Sequence, residues 1–155
     1  MSVKIEILDY ARGSGENEVN LSNGSPSSDW QLVNDTSADF TGDGTNGVRY
    51  FENISIPLVA GQEYFIRMEI INFSGTNNVG FSKTNSGTST ANGITNNARF
   101  NDNIIIRETF TCIASGTPRI FSRGTNNCTV KNILIRNTNG IDWDCLLYTS
   151  PSPRD

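Results

Sequence analysis

The sequence predicts an all-β protein, an antiparallel β-sandwich of about eight strands. Three observations lead there. Apolar residues alternate with polar ones in short runs, and nowhere recur at helical spacing. Clusters of Gly, Asn, Ser and Pro separate the runs and favour turns. No connection carries a helix that could return the chain for parallel pairing, so successive strands pair antiparallel.

The first strand is expected at residues 3–8, where Val3, Ile5 and Ile7 alternate with Lys4 and Glu6. Residues 13–28 are too rich in Gly, Ser, Asn and Pro to supply core and read as a connection. Further strands are expected at residues 30–33, 48–56, 63–73, 79–82, 104–114, 118–122 and 129–136. The clearest is 63–73, in which Tyr64, Ile66, Met68 and Ile70 fall on a core face while Arg67 and Glu69 fall on a wet one. Leu58-Val-Ala-Gly61 supplies a turn before it, and Ala114-Ser-Gly-Thr-Pro118 reads as a hairpin loop. Residues 35–47 read as a polar loop with three carboxylates. Residues 83–102 read as a long polar loop anchored by Ile94 and Phe100, of the kind that is usually functional or mobile. An antiparallel sandwich with this number of strands is most often a jelly roll.

Residues 1–144 are expected to form one jelly-roll domain. Residues 145–155, Cys145-Leu-Leu-Tyr-Thr-Ser-Pro-Ser-Pro-Arg-Asp155, resemble a sequencing-library adapter translated in one frame and are set aside as non-native, which implies a gene assembled from environmental or bulk DNA and a native chain continuing past Asp144. A genuine flexible Pro/Ser tail is the alternative. The net charge is −4, from 12 basic and 16 acidic residues, and no two basic residues adjoin, so a nucleic-acid partner is not expected. No apolar stretch reaches the roughly 18 residues that span a bilayer. The alternating N-terminus does not read as an export signal. Six Asn-x-Ser/Thr sequons, at Asn20, Asn23, Asn34, Asn53, Asn72 and Asn127, are what chance produces in so Asn-, Ser- and Thr-rich a chain. Cys112 and Cys128 are too few for a disulfide framework; two reduced thiols are the default and a single bridge the alternative.

The chain has no histidine, which removes Ser-His-Asp and Cys-His catalysis and histidine-based zinc sites. Glu52, Glu63, Glu69 and Glu108 could in principle form a glycosidase pair, but the ordinary role of such residues is as solvated side chains on a sheet exterior. No enzyme and no cofactor is expected. Asp35, Asp39 and Asp43 are weak candidates for a structural calcium, because calcium accepts six to eight oxygens in flexible geometry; their spacing lacks the EF-hand pattern, and a solvated loop is the simpler reading. A sugar site needs an aromatic ring to stack on the apolar face of a sugar and polar groups for its hydroxyls. Asn77, Asn78, Arg99, Phe100, Arg123 and Asn126 sit in expected loops and supply those types. Tyr64, Phe65, Phe110 and Phe121 are strand residues expected in the core, and so is Trp30.

Residues 30–136 resemble the carbohydrate-binding-module type of jelly roll that recurs in phage virion proteins and bacterial glycan binders. The likeness rests on Trp30 with its following strand, on Ile56-Pro-Leu-Val-Ala-Gly-Gln-Glu-Tyr64 and on Ser74-Gly-Thr-Asn-Asn-Val-Gly80. It continues through Arg107-Glu-Thr-Phe110 and Phe121-Ser-Arg-Gly-Thr to Asn132-Ile-Leu-Ile135. The architecture hosts many functions. The resemblance implies a non-enzymatic virion component, a head decoration, head-fibre or tail-fibre protein, assembled in the host cytoplasm, with other virion proteins, further copies of itself and cell-surface glycans as partners. A bacterial carbohydrate-binding module and a surface-filament subunit are the alternatives.

Overall fold

The computed structural model describes residues 19–54, 57–77, 79–82, 93–95, 104–112 and 115–139. They form two antiparallel five-stranded sheets stacked as a sandwich, and the jelly-roll class follows. The strands are β1 (Ser25–Pro26), β2 (Trp30–Asn34), β3 (Ser37–Thr41), β4 (Val48–Glu52), β5 (Glu63–Ser74), β6 (Gly80–Ser82), β7 (Gly93–Thr95), β8 (Ile104–Thr111), β9 (Arg119–Arg123) and β10 (Asn127–Asn137). One sheet runs β2-β3-β10-β5-β8 and the other β1-β4-β9-β6-β7. A 3-10 turn at Leu21–Asn23 precedes them, its start capped by the Asn20 side chain accepting from Ser22 N.

Between the sheets the pleat sends alternate residues inward. From β5 come Tyr64, Ile66, Met68 and Ile70, at 0–6% exposure; Phe51, Phe81 and Ile120 face them from the other layer. Aromatic contacts cross the gap at two places. Trp30 packs on Phe40 of its own sheet at 4.8 Å and on Phe51 of the opposite one at 6.0 Å, and Phe110 packs on Phe81 at 5.9 Å. The Trp30 indole donates to the carbonyl of Arg49 at 3.4 Å.

The longest pairing, β5 with β10, is interrupted by two bulges, one in each strand. In β5, Asn72 and Phe73 together oppose Cys128; in β10, Asn132 and Ile133 together oppose Met68. Each bulge opens with an asparagine at positive φ, 53° at Asn72 and 51° at Asn132, a conformation asparagine tolerates better than other side chains.

Several expectations are corrected. Residues 35–47 are not one loop: Ser37, Ala38 and Phe40 are buried on β3, and only Asp35 and Thr36 turn the chain back from β2. Within 83–102 the described residues 93–95 form β7, paired with β6. Residues 114–118 do not close a hairpin, since β8 and β9 belong to different sheets. Gly116 instead exchanges backbone bonds with Leu58, at 2.8 and 3.0 Å, where the chain crosses between layers. The outward face of β5 is not wet: Phe65 is 0% exposed and Arg67 6%, with Arg67 ion-paired to Glu69. Glu69 also meets Asn132 at 3.1 Å and Lys131 at 3.9 Å; burial raises its pKa, and these partners more than offset that, leaving it lowered. Glu108 is not on an exterior face either, for it lies opposite the inward Ile66 on the edge strand β8, where an inward charge discourages further strand pairing. The expected strand at 3–8 and the segment 145–155 lie outside the described residues. Cys112 and Cys128 are buried free thiols, and burial pushes the Cys128 thiol up to about 12.

Truncating Phe51 to Ala removes a side chain at 0% exposure against Trp30. Urea denaturation is expected to show a loss of about 3–5 kcal/mol, whereas Val33→Ala, at a residue 55% exposed, stays within about 0.5 kcal/mol.

Candidate functional site

Three expected glycan ligands, Asn77, Arg123 and Asn126, come together at one end of the sandwich, where the loops after β3, β5 and β9 meet. Asn78, Arg99 and Phe100 lie outside the described residues. The buried amide of Asn126, 0% exposed, ties this rim. Its Oδ1 accepts from Asn77 N at 3.2 Å, and its Nδ2 donates to Asn77 O at 3.1 Å and Ser122 Oγ at 3.2 Å. The Asn77 side chain in turn donates to Thr125 Oγ1 at 2.7 Å. Both asparagines are thereby engaged in holding loops. The packing of the rim leaves room for no side chain at Gly42, Gly75 or Gly124. A Cβ on Gly42 would sit 2.1 Å from the Gly124 carbonyl oxygen, and one on Gly75, at φ 133°, 2.4 Å from Asn126 Oδ1.

The three aspartates proposed for calcium are dispersed along β3 and beyond its ends. Asp35 sits at the hairpin tip and accepts from Ser22 Oγ, while Asp39 accepts from Thr129 Oγ1 at 2.6 Å. Asp43 accepts from Thr45 and pairs with Arg49 at 2.7 Å. Each carboxylate is thus held by a different partner, in the turn before β3, on β3 itself and in the loop after it. Among the described residues no three acidic or thiol side chains form a metal-holding group.

Beside the rim lies a second arrangement on the outward face of the β4–β9 pair. Its register sets Tyr50 opposite Phe121 and Val48 opposite Arg123, while Phe51 and Ile120 point to the core. Arg119, Phe121 and Arg123 therefore share a face with Val48, Tyr50 and Glu52. The Arg119 guanidinium lies 3.8 Å from the Tyr50 ring centroid and its Nη1 reaches Glu52 Oε1 at 3.3 Å. Arg119 is 6% exposed and Phe121 5%, while the Glu52 side chain is 42% exposed and Tyr50 remains half-buried. The result is a half-buried Tyr50 stacked by the buried Arg119, with buried Phe121 beside it in register and a partly exposed carboxylate next to it. At the rim end Arg123 donates through Nη1 to Asn46 O at 2.9 Å and to Asn46 Oδ1 at 3.3 Å. Of the described residues singled out in the sequence as glycan ligands, only Arg123 stands on this face. Tyr50 and Arg119 were missed, and Glu52 was considered only as a glycosidase carboxylate, although the alternation in Val48-Arg-Tyr-Phe-Glu52 and Arg119-Ile-Phe-Ser-Arg123 places them together once the strands are paired.

Three of the four candidate carboxylates are engaged with other side chains. Glu52 is paired with Arg119 and Glu69 with Arg67. Glu63 accepts from Thr138 Oγ1 at 2.6 Å.

No protein-family model matches the chain, and no curated protein does. Solved structures do. One, described as "CBM4 structure and function", has a TM-score of 0.50 at 12% identity and covers 81% of this chain and 98% of its own. A carbohydrate-binding module (CBM6cm-2) from Cellvibrio mixtus lichenase 5A in complex with cellotriose has a TM-score of 0.46, also at 12% identity, with 79% and 97% covered. A family 16 carbohydrate-binding module has a TM-score of 0.35 at 13% identity, with 74% and 85% covered. The first of these likenesses supports the jelly-roll fold at a level where only the fold is shared.

Two outcomes are expected at the rim. Asn126→Ala leaves backbone groups of Asn77 without partners and should lower stability in urea by about 1–3 kcal/mol. Hydrogen bonds from Thr45 and the Arg49 guanidinium hold Asp43 at about 2, below its ordinary 3.8. A lowered carboxylate stabilises the fold above its unfolded pKa and loses that contribution as pH falls through its folded value. Melting temperature should therefore drop between about pH 4 and pH 2, and the drop should be smaller in Asp43→Asn, as followed by circular dichroism.

Proposed function

We propose that this chain is a non-enzymatic glycan-binding jelly roll that meets sugars through the outward face of the β4–β9 pair. The observation that carries this reading is the half-buried Tyr50 ring, stacked on one face by Arg119, with the partly exposed Glu52 beside it. An aromatic ring stacks on the apolar face of a sugar, and a neighbouring carboxylate accepts from its hydroxyls. The stack on Arg119 and the Arg119–Glu52 bond fix both groups before a ligand arrives, which lowers the ordering cost of binding. The CBM4 structure of like fold supports the reading.

The chain serves as a virion component, a head decoration, head-fibre or tail-fibre protein present in several copies, whose loops and outward faces meet other virion proteins and cell-surface glycans. The alternative setting is a bacterial carbohydrate-binding module or surface filament. Neighbouring genes separate the two: portal, capsid or tail genes support the virion, and a polysaccharide-degrading enzyme the alternative.

A glycan array probed with the purified chain is expected to give binding that Tyr50→Ala reduces about tenfold or more, with the fold intact by circular dichroism. Binding unaffected by Tyr50→Ala contradicts the assigned face.

A further inference from the structure

Among the described residues, Arg123 is the one cation on the outward β4–β9 face whose partners are all neutral. Arg119 is matched by Glu52. Nearby Arg49 is matched by both Asp29, at 2.6 Å, and Asp43, at 2.7 Å. Arg123 bonds only the carbonyl and side-chain oxygens of Asn46, and both bonds leave from Nη1. A guanidinium has five N–H donors in a rigid plane. With Nη1 anchored, the Nε–Nη2 edge is the unused side, and two parallel N–H bonds from such an edge match the two oxygens of a carboxylate or the oxygens of a sulfate. Holding Nη1 against the 42–47 loop removes much of the side-chain entropy that a solvated arginine would lose on binding.

The position of this group gives the ligand its character. Arg123 and Phe121 lie two residues apart on one side of β9, about 7 Å along the strand, and Phe121 is the register partner of Tyr50. A sugar unit next to one stacked at Tyr50 is within reach of Arg123 when the glycan runs along the strands toward Val48. In a chain of net charge −4, which repels polyanions at long range, a cation without a carboxylate partner at that point is a specific feature rather than part of a diffuse basic surface. We infer that the glycan taken by the β4–β9 face is acidic, with an anionic sugar unit, a uronate carboxylate or a sugar sulfate, seated on Arg123. The inference rests on the glycan-binding reading given above and narrows its substrate class.

Titration calorimetry with polygalacturonate, dextran sulfate, dextran and cellohexaose tests it. The result expected is binding to an anionic polymer that weakens as NaCl rises from about 20 to about 500 mM, falls about tenfold or more in Arg123→Gln and is partly kept in Arg123→Lys. The polygalacturonate and dextran sulfate arms assign carboxylate or sulfate, and either supports the inference. Lys131→Gln, on the other sheet, should leave affinity unchanged. An equal loss in that variant would mean diffuse attraction and overturn the inference. Binding to cellohexaose or dextran alone, unchanged in Arg123→Gln, overturns it while leaving the glycan-binding reading standing. Binding to none of the four polymers by a chain that is also silent on the glycan array overturns both.

Discussion

Ile120 of β9 is locked at 0% exposure between its register partners Phe51 of β4 and Phe81 of β6, and that inward anchor decides which β9 residues face out. Side chains alternate along a strand with a period of two, so a slip of one residue would carry Arg119, Phe121 and Arg123 into the apolar layer. Burying two guanidinium groups there without matched partners costs far more than the layer could recover. The apolar core thus fixes the register, and the register assembles the polar and aromatic face. The chemistry proposed for that face is a consequence of packing on the other side of the same strands.

The rim serves the face in a different way. Asn126 uses both ends of its amide on Asn77 and Ser122, and Asn46 uses its two oxygens on Arg123. Loops on the edge of a sandwich are ordinarily the most mobile parts of such a fold. Here a buried amide and close backbone packing at Gly42 and Gly75 hold them, so a side chain that leans on the rim inherits a defined position. Asn77 and Asn126, which look like sugar ligands in the sequence, are engaged as struts, and the proposed ligand contact falls instead to Arg123.

Where a strand alternates strongly and pairs on both sides, the sequence is a sufficient guide: 63–73 is β5 almost to the residue, with Tyr64, Ile66 and Met68 in the core. Short strands are harder. β3 hides in a polar run because its Ala38 and Phe40 are flanked by Ser37, Asp39 and Thr41, and only pairing with β2 and β10 reveals the pattern. The layer assignment of β8 and β9 was not legible either, since Ala114-Ser-Gly-Thr-Pro118 has the composition of a hairpin, and the tie to Leu58 that carries it between sheets is a long-range contact. The same limit applies to the candidate site. Arg123 could be named from residue type, but its companionship with Tyr50, Glu52 and Arg119 depends on two strands almost seventy residues apart in the chain coming into register.

Backbone amide shifts, recorded by heteronuclear NMR while an acidic oligosaccharide is titrated in, test the central claim most directly. The account predicts that the largest changes cluster on Val48, Tyr50, Glu52, Arg119, Phe121 and Arg123, with β5 and β10 unmoved. Changes centred on β5 and β10, with the β4–β9 pair silent, would contradict it.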